Sequence, residues 1–248
     1  PDDWQMYGGG IGRTNAALKT TSPPLTKLWE YNTGAGFGAY SAAIVDSTLF
    51  VGTLIGEVHL IDIVTGKGIG STDFGASIIG APAVDREIIY IPLTNDEISL
   101  VAYNVRLAQN EWQLTLGSIE SSPLLIGDKL LVTTLRGKLI CLNKITGEQM
   151  WTFAVPPANR MNMIHSSPAT DGSLVFFGSD DGTLYAVDIS DGKLRWKASM
   201  EGSMMSSPSV SGGKVYIGST GQSYCAFDAT DGKIVWKQFL GANIVASQ

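Results

Sequence analysis

Residues Ser206 to Trp236 read SSPSVSGGKVYIGSTGQSYCAFDATDGKIVW, and residues Ser166 to Trp196 read SSPATDGSLVFFGSDDGTLYAVDISDGKLRW. The two stretches agree in register at Ser-Ser-Pro, at the glycine of the apolar run and at an aspartate ten residues later. They agree again at Asp-Gly-Lys and at the closing tryptophan. An internal repeat of about 40 residues decides the fold class before any single residue is interpreted.

The same period runs through most of the chain. Prolines at positions 82, 123, 168 and 208 are 41, 45 and 40 residues apart, and tryptophans at positions 112, 151, 196 and 236 are 39, 45 and 40 residues apart. The prolines and the tryptophans therefore repeat with the same period, and both show the longer interval of 45 residues between the third and fourth units. The five units cover approximately residues 39–70, 79–112, 119–151, 164–196 and 204–236.

Each unit contains four short runs rich in Val, Ile, Leu, Phe and Tyr, which Gly, Asp and Ser turns separate. Such runs predict short strands joined by hairpin loops, and no segment shows a sustained helical period. Four antiparallel strands per unit, repeated, are the signature of a β-propeller. The sequence therefore predicts an all-β fold in which residues 1–248 form a single propeller domain with five complete four-stranded blades.

The two ends of the chain do not complete a ring. In repeat register, Leu25 to Tyr31 is predicted to be the closing strand at the end of an N-terminal segment, residues 1–38, and residues 244–248 begin a further blade. We expect the molecule to continue past Gln248 and to have seven or eight blades in all. The tryptophans at the ends of units are expected to dock one blade on the next, because a large aromatic side chain buries much apolar surface: Trp29, Trp112, Trp151, Trp196 and Trp236.

Composition narrows the function classes. A formal net charge of −6 and a pI near 4.9, without a Lys/Arg cluster, argue against a nucleic-acid partner. No apolar run approaches the roughly 20 residues that cross a bilayer. Cys141 and Cys225 are offset by one residue in their repeats, so they should face opposite sides of their blades and form no disulfide.

The repeat carries a family resemblance. An Asp or Asn, then (S/T)(D/T)G, then Trp, resembles the tryptophan-docking repeat of propellers similar to the pyrroloquinoline-quinone proteins, and residues 121–236 match it best. The opening WQMYGG at residues 4–9 is similar to the segment that precedes the first blade in many members. The resemblance implies one of two groups. Quinone-dependent dehydrogenases carry pyrroloquinoline quinone and calcium on the propeller axis, whereas small non-catalytic periplasmic propellers similar to BamB work by binding.

This chain resembles the second group more closely. It has no adjacent cysteine pair of the kind that alcohol-oxidising members carry at the cofactor, and no Glu/Asn/Asp set that can be assigned to a metal. The Asp-Asp-Gly motif at residues 180–182 is interpreted as a turn, since it lacks the downstream glutamate of a calcium loop. The recurring Ser-Ser-Pro is interpreted as a strand entry, because no G-x-S-x-G nucleophile motif accompanies it. We therefore expect no catalytic, cofactor-binding or metal-binding residue.

Candidate binding residues come from comparing the loops that enter each blade. The position four residues before the repeated proline stays apolar in four units, as packing requires, whereas the next position varies freely and holds Ile79, Glu120, His165 and Met205. Glu120 and His165 could approach each other as a hydrogen-bonded pair; His59 is interpreted as a packed or surface side chain. The longer loop at residues 154–163 adds methionines and an arginine, which suit an interface. The candidate partner-binding residues are Phe37, Tyr40, Ile79, Glu120, Arg160, Met161, Met163, His165, Met204 and Met205.

The leading hypothesis is a non-enzymatic protein-binding scaffold in a membrane-associated complex, for which the resemblance implies outer-membrane or cell-surface assembly. The resemblance also implies a periplasmic or cell-surface location, with lipid anchoring through a missing N-terminus. One alternative is a quinone-dependent oxidoreductase or a degenerate relative, with pyrroloquinoline quinone and calcium as its cofactors. A second alternative is a carbohydrate- or ligand-binding surface module. Function is expected where the repeats disagree, because their shared residues build the framework.

Overall fold

The computed structural model describes residues 3–17, 23–38, 41–157 and 162–245. The predicted all-β propeller is confirmed, with five separate four-stranded sheets in which sequential strands are antiparallel neighbours. Blades 1 and 2 consist of β1 (Ala42–Val45), β2 (Thr48–Gly52), β3 (Glu57–Asp62), β4 (Gly68–Asp73), β5 (Ala83–Asp85), β6 (Ile88–Pro92), β7 (Leu100–Asn104) and β8 (Gln109–Leu114). Blades 3 to 5 consist of β9 (Leu124–Ile126), β10 (Lys129–Thr134), β11 (Lys138–Asn143), β12 (Gln149–Ala154), β13 (Ala169–Thr170), β14 (Leu174–Gly178), β15 (Thr183–Asp188), β16 (Leu194–Ser199), β17 (Ser209–Ser211), β18 (Lys214–Gly218), β19 (Ser223–Asp228) and β20 (Ile234–Phe239).

The core lies between neighbouring blades rather than inside any one of them. The junction of blades 4 and 5 is typical: Phe176 on one face of blade 4 belongs to the same buried cluster as Ile217 and Phe227 of blade 5. A single sheet has two apolar faces, so stacking against a neighbour on each side removes both from water. Within the described residues, no helix has the length and apolarity that a bilayer span requires.

The Asp or Asn of the repeat organises the turn between the third and fourth strands. In blade 3 the Asn143 side-chain oxygen accepts hydrogen bonds from the backbone N–H groups of Ile145 and Thr146, at 2.9 and 3.1 Å. Gly147 then takes a φ of +73°, which a side chain rarely adopts. The fixed spacing between the Asp or Asn and the glycine of the repeat therefore reflects the geometry of this turn.

A tryptophan docks on that turn from the preceding blade. Trp112 of blade 2 donates its indole N–H to the Lys144 carbonyl of blade 3 at 3.2 Å, and a Cβ added to Gly147 would lie 2.9 Å from the ring. The same donation recurs from Trp151 to Ile189 at 3.1 Å, from Trp196 to Ala229 at 2.9 Å and from Trp29 to Ile63 at 2.8 Å. Trp236 on blade 5 is 41% exposed and contacts Tyr216 and Tyr224 of its own sheet.

The predicted strand at Leu25 to Tyr31 is wrong, because no strand is assigned anywhere in residues 23–38. A strand requires backbone partners, and this segment instead lies against blade 1 through side chains. Trp29 docks on the Gly66 turn, and the Tyr31 hydroxyl lies 3.2 Å from His59 Nδ1. Leu25 and Leu28 remain 73% and 86% exposed.

Both cysteines are buried and free. Cys141 pairs across the sheet with Trp151, on the blade face that receives the next blade, whereas Cys225 pairs with Lys237 and lies on the opposite face of its own blade. The expected opposite orientation of the two thiols is confirmed. Burial raises the pKa of the Cys141 thiol to about 11, so this group is an inert part of the core.

Candidate functional site

The N-terminal segment joins several blades through their first strands. Residues 4–13 lie along the first strands of the blades and hydrogen-bond to four of them. These backbone bonds join Trp4 with Ile44, Val84 with Gln5, Thr170 with Ile11 and Val210 with Gly12, at 2.6 to 2.8 Å. The segment thereby satisfies edge groups that the innermost strands would otherwise leave unpaired.

Arg13 is the central side chain of this arrangement. It is 1% exposed and donates four hydrogen bonds to backbone carbonyls: Nε to Pro168 at 2.5 Å, Nη1 to Tyr7 at 2.8 Å, and Nη2 to Ser122 and Pro123 at 2.8 and 3.1 Å. Burial lowers the pKa of the guanidinium to about 9, against a smaller upward effect of Tyr7. The group thus stays charged near neutral pH and joins the N-terminal segment to blades 3 and 4.

The Ser-Ser-Pro motifs form a hydrogen-bonded ladder between blades. The Ala81 N–H donates to the Ser122 hydroxyl at 2.8 Å, the Ser122 N–H to the Ser167 hydroxyl at 2.9 Å, and the Ser167 N–H to the Ser207 hydroxyl at 2.8 Å. Each second serine therefore accepts a bond from the preceding blade. This is a structural role, which agrees with the interpretation of the motif as a strand entry.

The loops between blades and the hairpins between second and third strands lie at one end of the propeller, which we call the connector face. Its described segments are residues 33–38, 53–56, 74–82, 93–99, 115–123, 135–137, 155–157, 162–168, 179–182, 200–208, 219–222 and 240–245. All of the candidate binding residues that the structure describes belong to these segments.

Glu120 and His165 meet on the connector face. His165 Nδ1 lies 2.9 Å from Glu120 Oε2, and its Nε2 lies 3.4 Å from Asp180 Oδ2. The three side chains are 19%, 27% and 14% exposed, respectively. The imidazole thus bridges a carboxylate of the blade 2–3 loop and one of the β14–β15 hairpin, and it ties blade 3 to blade 4.

The electrostatics of this triad favour a charged imidazole. The hydrogen bond that the imidazole donates to Glu120 is the main cause that raises the pKa of His165, and the charges of Asp180 and Glu120 act in the same direction against burial. The same bond lowers the pKa of Glu120. Burial raises the pKa of Asp180, although the charge of His165 opposes it. Each nitrogen of the His165 ring contacts a different carboxylate, so the three side chains do not point at one common position where a metal ion could bind. Accordingly, no cluster of three or more His, Cys, Asp or Glu in the described part of the chain could hold a metal ion.

An exposed apolar patch lies on the connector face at blade 1. Phe37 is 51% exposed, and Leu54 and Ile55 at the tip of the β2–β3 hairpin are 43% and 59% exposed. The Leu54 N–H donates to the Gly36 carbonyl at 2.9 Å, which holds the hairpin tip beside the segment that carries Phe37. We call Phe37, Leu54 and Ile55 the blade 1 patch.

Sequence reasoning missed Leu54 and Ile55. The corresponding hairpins of blades 4 and 5 carry Asp180-Asp181 and Thr220-Gly221. An alignment of the hairpin tips, rather than of the blade-entry loops, would have revealed two adjacent aliphatic residues in blade 1, where blade 3 has Leu135-Arg136 and the two residues in blades 4 and 5 are not aliphatic. Exposed apolar side chains that lie together, unlike single ones, make the blade 1 patch a candidate binding surface.

The remaining candidate residues differ in how far they are buried. Ile79, Met163 and Met205 are partly buried on the connector face. The prediction of Met204 as a binding residue on the surface is wrong, because its side chain is fully buried. Met204 packs on Gly178 of the preceding blade, and a Cβ added to Gly178 would lie 2.6 Å from the Cβ of Met204. Tyr40, Arg160 and Met161 lie outside the described residues.

The connector face is acidic. Its described segments contain one Lys or Arg, Arg136, whose Nη2 lies 3.3 Å from Asp96 Oδ2. Against this stand six carboxylates: Asp96, Glu97, Glu120, Asp180, Asp181 and Glu201.

Comparison with known proteins gives a consistent pattern. The family model described as "Outer membrane protein assembly factor BamB" matches residues 22–165 and 158–246. The chain is 26% identical over 188 residues to the outer membrane protein assembly factor BamB of Yersinia pestis, which covers 69% of this chain and 47% of that protein. It thus spans about half the length of the curated relatives it matches.

Two solved structures share the fold. BamB from Moraxella catarrhalis superposes with a TM-score of 0.71 at 20% identity, over 84% of this chain and 66% of that one. Quinohemoprotein alcohol dehydrogenase from Comamonas testosteroni superposes with a TM-score of 0.75 at 15% identity, over 96% of this chain and 49% of that one. A propeller of this kind therefore occurs in an assembly factor and in an enzyme, and only site residues can separate the two functions.

Proposed function

Because the chain belongs to the family of the outer membrane protein assembly factor BamB, we propose that it is a non-enzymatic, extracytoplasmic scaffold that binds a protein partner in outer-membrane protein assembly. The family match over most of the chain is the observation that carries this proposal. The proposal includes a periplasmic location and membership of a membrane-associated complex.

The blade 1 patch supports a protein partner. Each of its three side chains is more than two-fifths exposed, and complete burial of one such side chain contributes about 1.5–3 kcal/mol. They lie on hydrogen-bonded loops rather than on free chain ends, so little ordering would accompany binding. The patch has the character of an interface anchor.

The charges of the connector face favour a basic partner surface. With six carboxylates against one arginine and His165 in its described segments, this end of the propeller would repel an acidic surface and speed encounter with a basic one. The partner is therefore proposed to present apolar side chains flanked by Lys or Arg.

The N-terminal segment bears on the quinone alternative. Arg13 is 1% exposed and donates four hydrogen bonds to backbone carbonyls of this segment and of blades 3 and 4. This packing gives the buried arginine a structural role and favours a binding scaffold over a cofactor site at this residue.

Site-specific photo-crosslinking tests the proposal. Benzoylphenylalanine at position 55 should capture a protein of the outer-membrane assembly machinery in envelope preparations, and the double variant Leu54→Asp/Ile55→Asp should reduce binding of that protein at least tenfold. The matched control is position 145, where Ile145 is 73% exposed at the opposite end of the blades. Equal adducts from positions 55 and 145, or none from position 55, would refute the assignment of the patch.

A further inference from the structure

The tryptophan-docking pair is missing at one blade junction. Residue 70 stands opposite Leu60, as Trp112 stands opposite Ala102, and is a glycine. The facing turn of blade 2 has Ala108 where the other turns have glycine, and Ala108 still takes the positive φ of +51°. Blade 1 therefore supplies no ring and blade 2 supplies no glycine to receive one.

The absence of the ring leaves an open groove. A Cβ added to Gly70 would meet no atom within 4 Å. The resulting groove is open to solvent and has a volume of about 180 Å³. Its lining is mainly apolar and includes Leu60, Ile69, Gly70, Tyr103, Val105 and Ala108.

The groove retains the polar partner of the missing indole. At the other junctions the N–H bonds the carbonyl one residue after the turn's Asp or Asn, as in Lys144 after Asn143. The counterpart here is the carbonyl of Val105, after Asn104, and it accepts no hydrogen bond from any of the residues that the structure describes. An N–H donor on a planar ring complements this acceptor.

The aromatic side chain nearest to the groove does not fill it. Tyr103 packs edge-on against Phe74, with ring centroids 5.3 Å apart, and Thr72 donates to its hydroxyl at 3.4 Å. Tyr103 is thereby held as one wall of the groove. The indole position itself stays open to solvent on the outer side of the propeller.

We propose that this groove, between blades 1 and 2, is a binding site for a tryptophan side chain of a partner polypeptide. The indole lies between Leu60 and Tyr103 and donates its N–H to the Val105 carbonyl. The same chain makes the corresponding bond from an indole N–H to a turn carbonyl four times with its own tryptophans. The site is separate from the blade 1 patch, so it stands or fails independently of the proposed function.

Ala108 sets the depth of binding. At Gly147 an added Cβ would come within 2.9 Å of the docked ring, so the methyl of Ala108 holds a bound indole slightly outward. Removing that methyl should tighten binding. Because the alanine already has the glycine-like φ, Ala108→Gly leaves the backbone conformation unchanged.

The test is a titration of the folded chain with N-acetyl-tryptophanamide, followed by amide NMR shifts. We expect saturable shifts at residues 69, 103 and 108, a gain of severalfold in affinity in Ala108→Gly, and no binding in Gly70→Trp, whose own ring fills the groove. The 1-methyl-indole analogue, which lacks the donor, should bind roughly fivefold more weakly. If Gly70→Trp does not fold, Gly70→Trp/Ala108→Gly replaces it, since it restores both members of the pair. The proposal is overturned if no saturable shifts occur, or if the shifts persist when the groove is filled.

Discussion

Replacement of Arg13 by alanine should remove a large part of the stability of this propeller. The side chain is 1% exposed, and its guanidinium donates to four carbonyl oxygens that belong to the N-terminal segment and to blades 3 and 4. Each buried carbonyl that loses its only donor costs about 1–3 kcal/mol, so the loss of four such bonds should cost at least about 3 kcal/mol. Since a whole domain is stable by only about 5–15 kcal/mol, the variant should unfold at a markedly lower urea concentration.

Arg13→Lys separates charge from geometry. A lysine keeps the positive charge, but its three N–H donors lie on one nitrogen. It therefore does not reach all of the carbonyls that the planar guanidinium of Arg13 contacts. We expect about half the destabilisation of Arg13→Ala. The exposed control is Arg106→Ala, which removes an arginine that is 72% exposed and bonded to Glu87, and surface pairs of this kind contribute little.

The assay combines urea unfolding, followed by tryptophan fluorescence, with amide hydrogen exchange. If Arg13 holds the N-terminal segment on the blades, the amides of Thr170 and Val210, which donate to that segment, should lose protection in Arg13→Ala. A urea midpoint equal to that of Arg106→Ala, with both amides still protected, would show that the attachment of this segment does not depend on the guanidinium.

Two other perturbations test the blade framework and the connector face. Gly147→Ala should cost about 2–3 kcal/mol of unfolding free energy, because it adds contact with the Trp112 ring to the strain of a positive φ; Gly127→Ala, also at positive φ but with no neighbour within 4 Å, isolates the strain alone. The raised pKa of His165 means that its stabilising effect is complete below its ordinary pKa of about 6.5 and is lost as pH rises through the folded value. Between about pH 6 and pH 9 the urea midpoint should therefore fall more in the wild type than in His165→Gln, and a parallel fall in both would contradict the pairing with Glu120.

The repeat residues could be predicted because each has one physical task. Proline and glycine restrict or extend backbone conformation, and an Asp or Asn accepts the N–H groups of a turn, as Asn143 does. Such tasks depend on nearby residues, so they leave a periodic trace in the sequence. The five four-stranded blades in the described residues, their strand order and their turn positions followed from that trace.

The errors have a common physical origin in long-range contacts. Leu25 to Tyr31 has the composition of a strand, but strand formation requires a backbone partner that composition does not specify. Arg13 lies in a segment without a repeat counterpart, so no comparison between units could reveal that it bonds Pro168, 155 positions away. Met204 could have been placed correctly, because it shares the apolar packing position with Ile164.

Some site residues could be predicted by comparing repeats, and others were missed. Glu120 and His165 were brought together by comparing corresponding loops, and the structure places them 2.9 Å apart. Leu54 and Ile55 have equally clear counterparts in the other hairpins, and only the choice of loop hid them. Comparison between repeats therefore finds exposed positions well when every loop of the repeat is compared.

The missing docking pair shows why the repeats are free to differ. A glycine at the turn is required sterically only while a ring lies above it, as Trp112 lies above Gly147. Once residue 70 has no ring, residue 108 is constrained by its φ alone, which an alanine tolerates at a cost of about 1 kcal/mol. The two positions can therefore change together while the buried cluster between blades 1 and 2 stays intact. Because divergence of a docking pair leaves an accessible, shaped surface, a propeller can acquire a binding site at a blade junction without a change of fold.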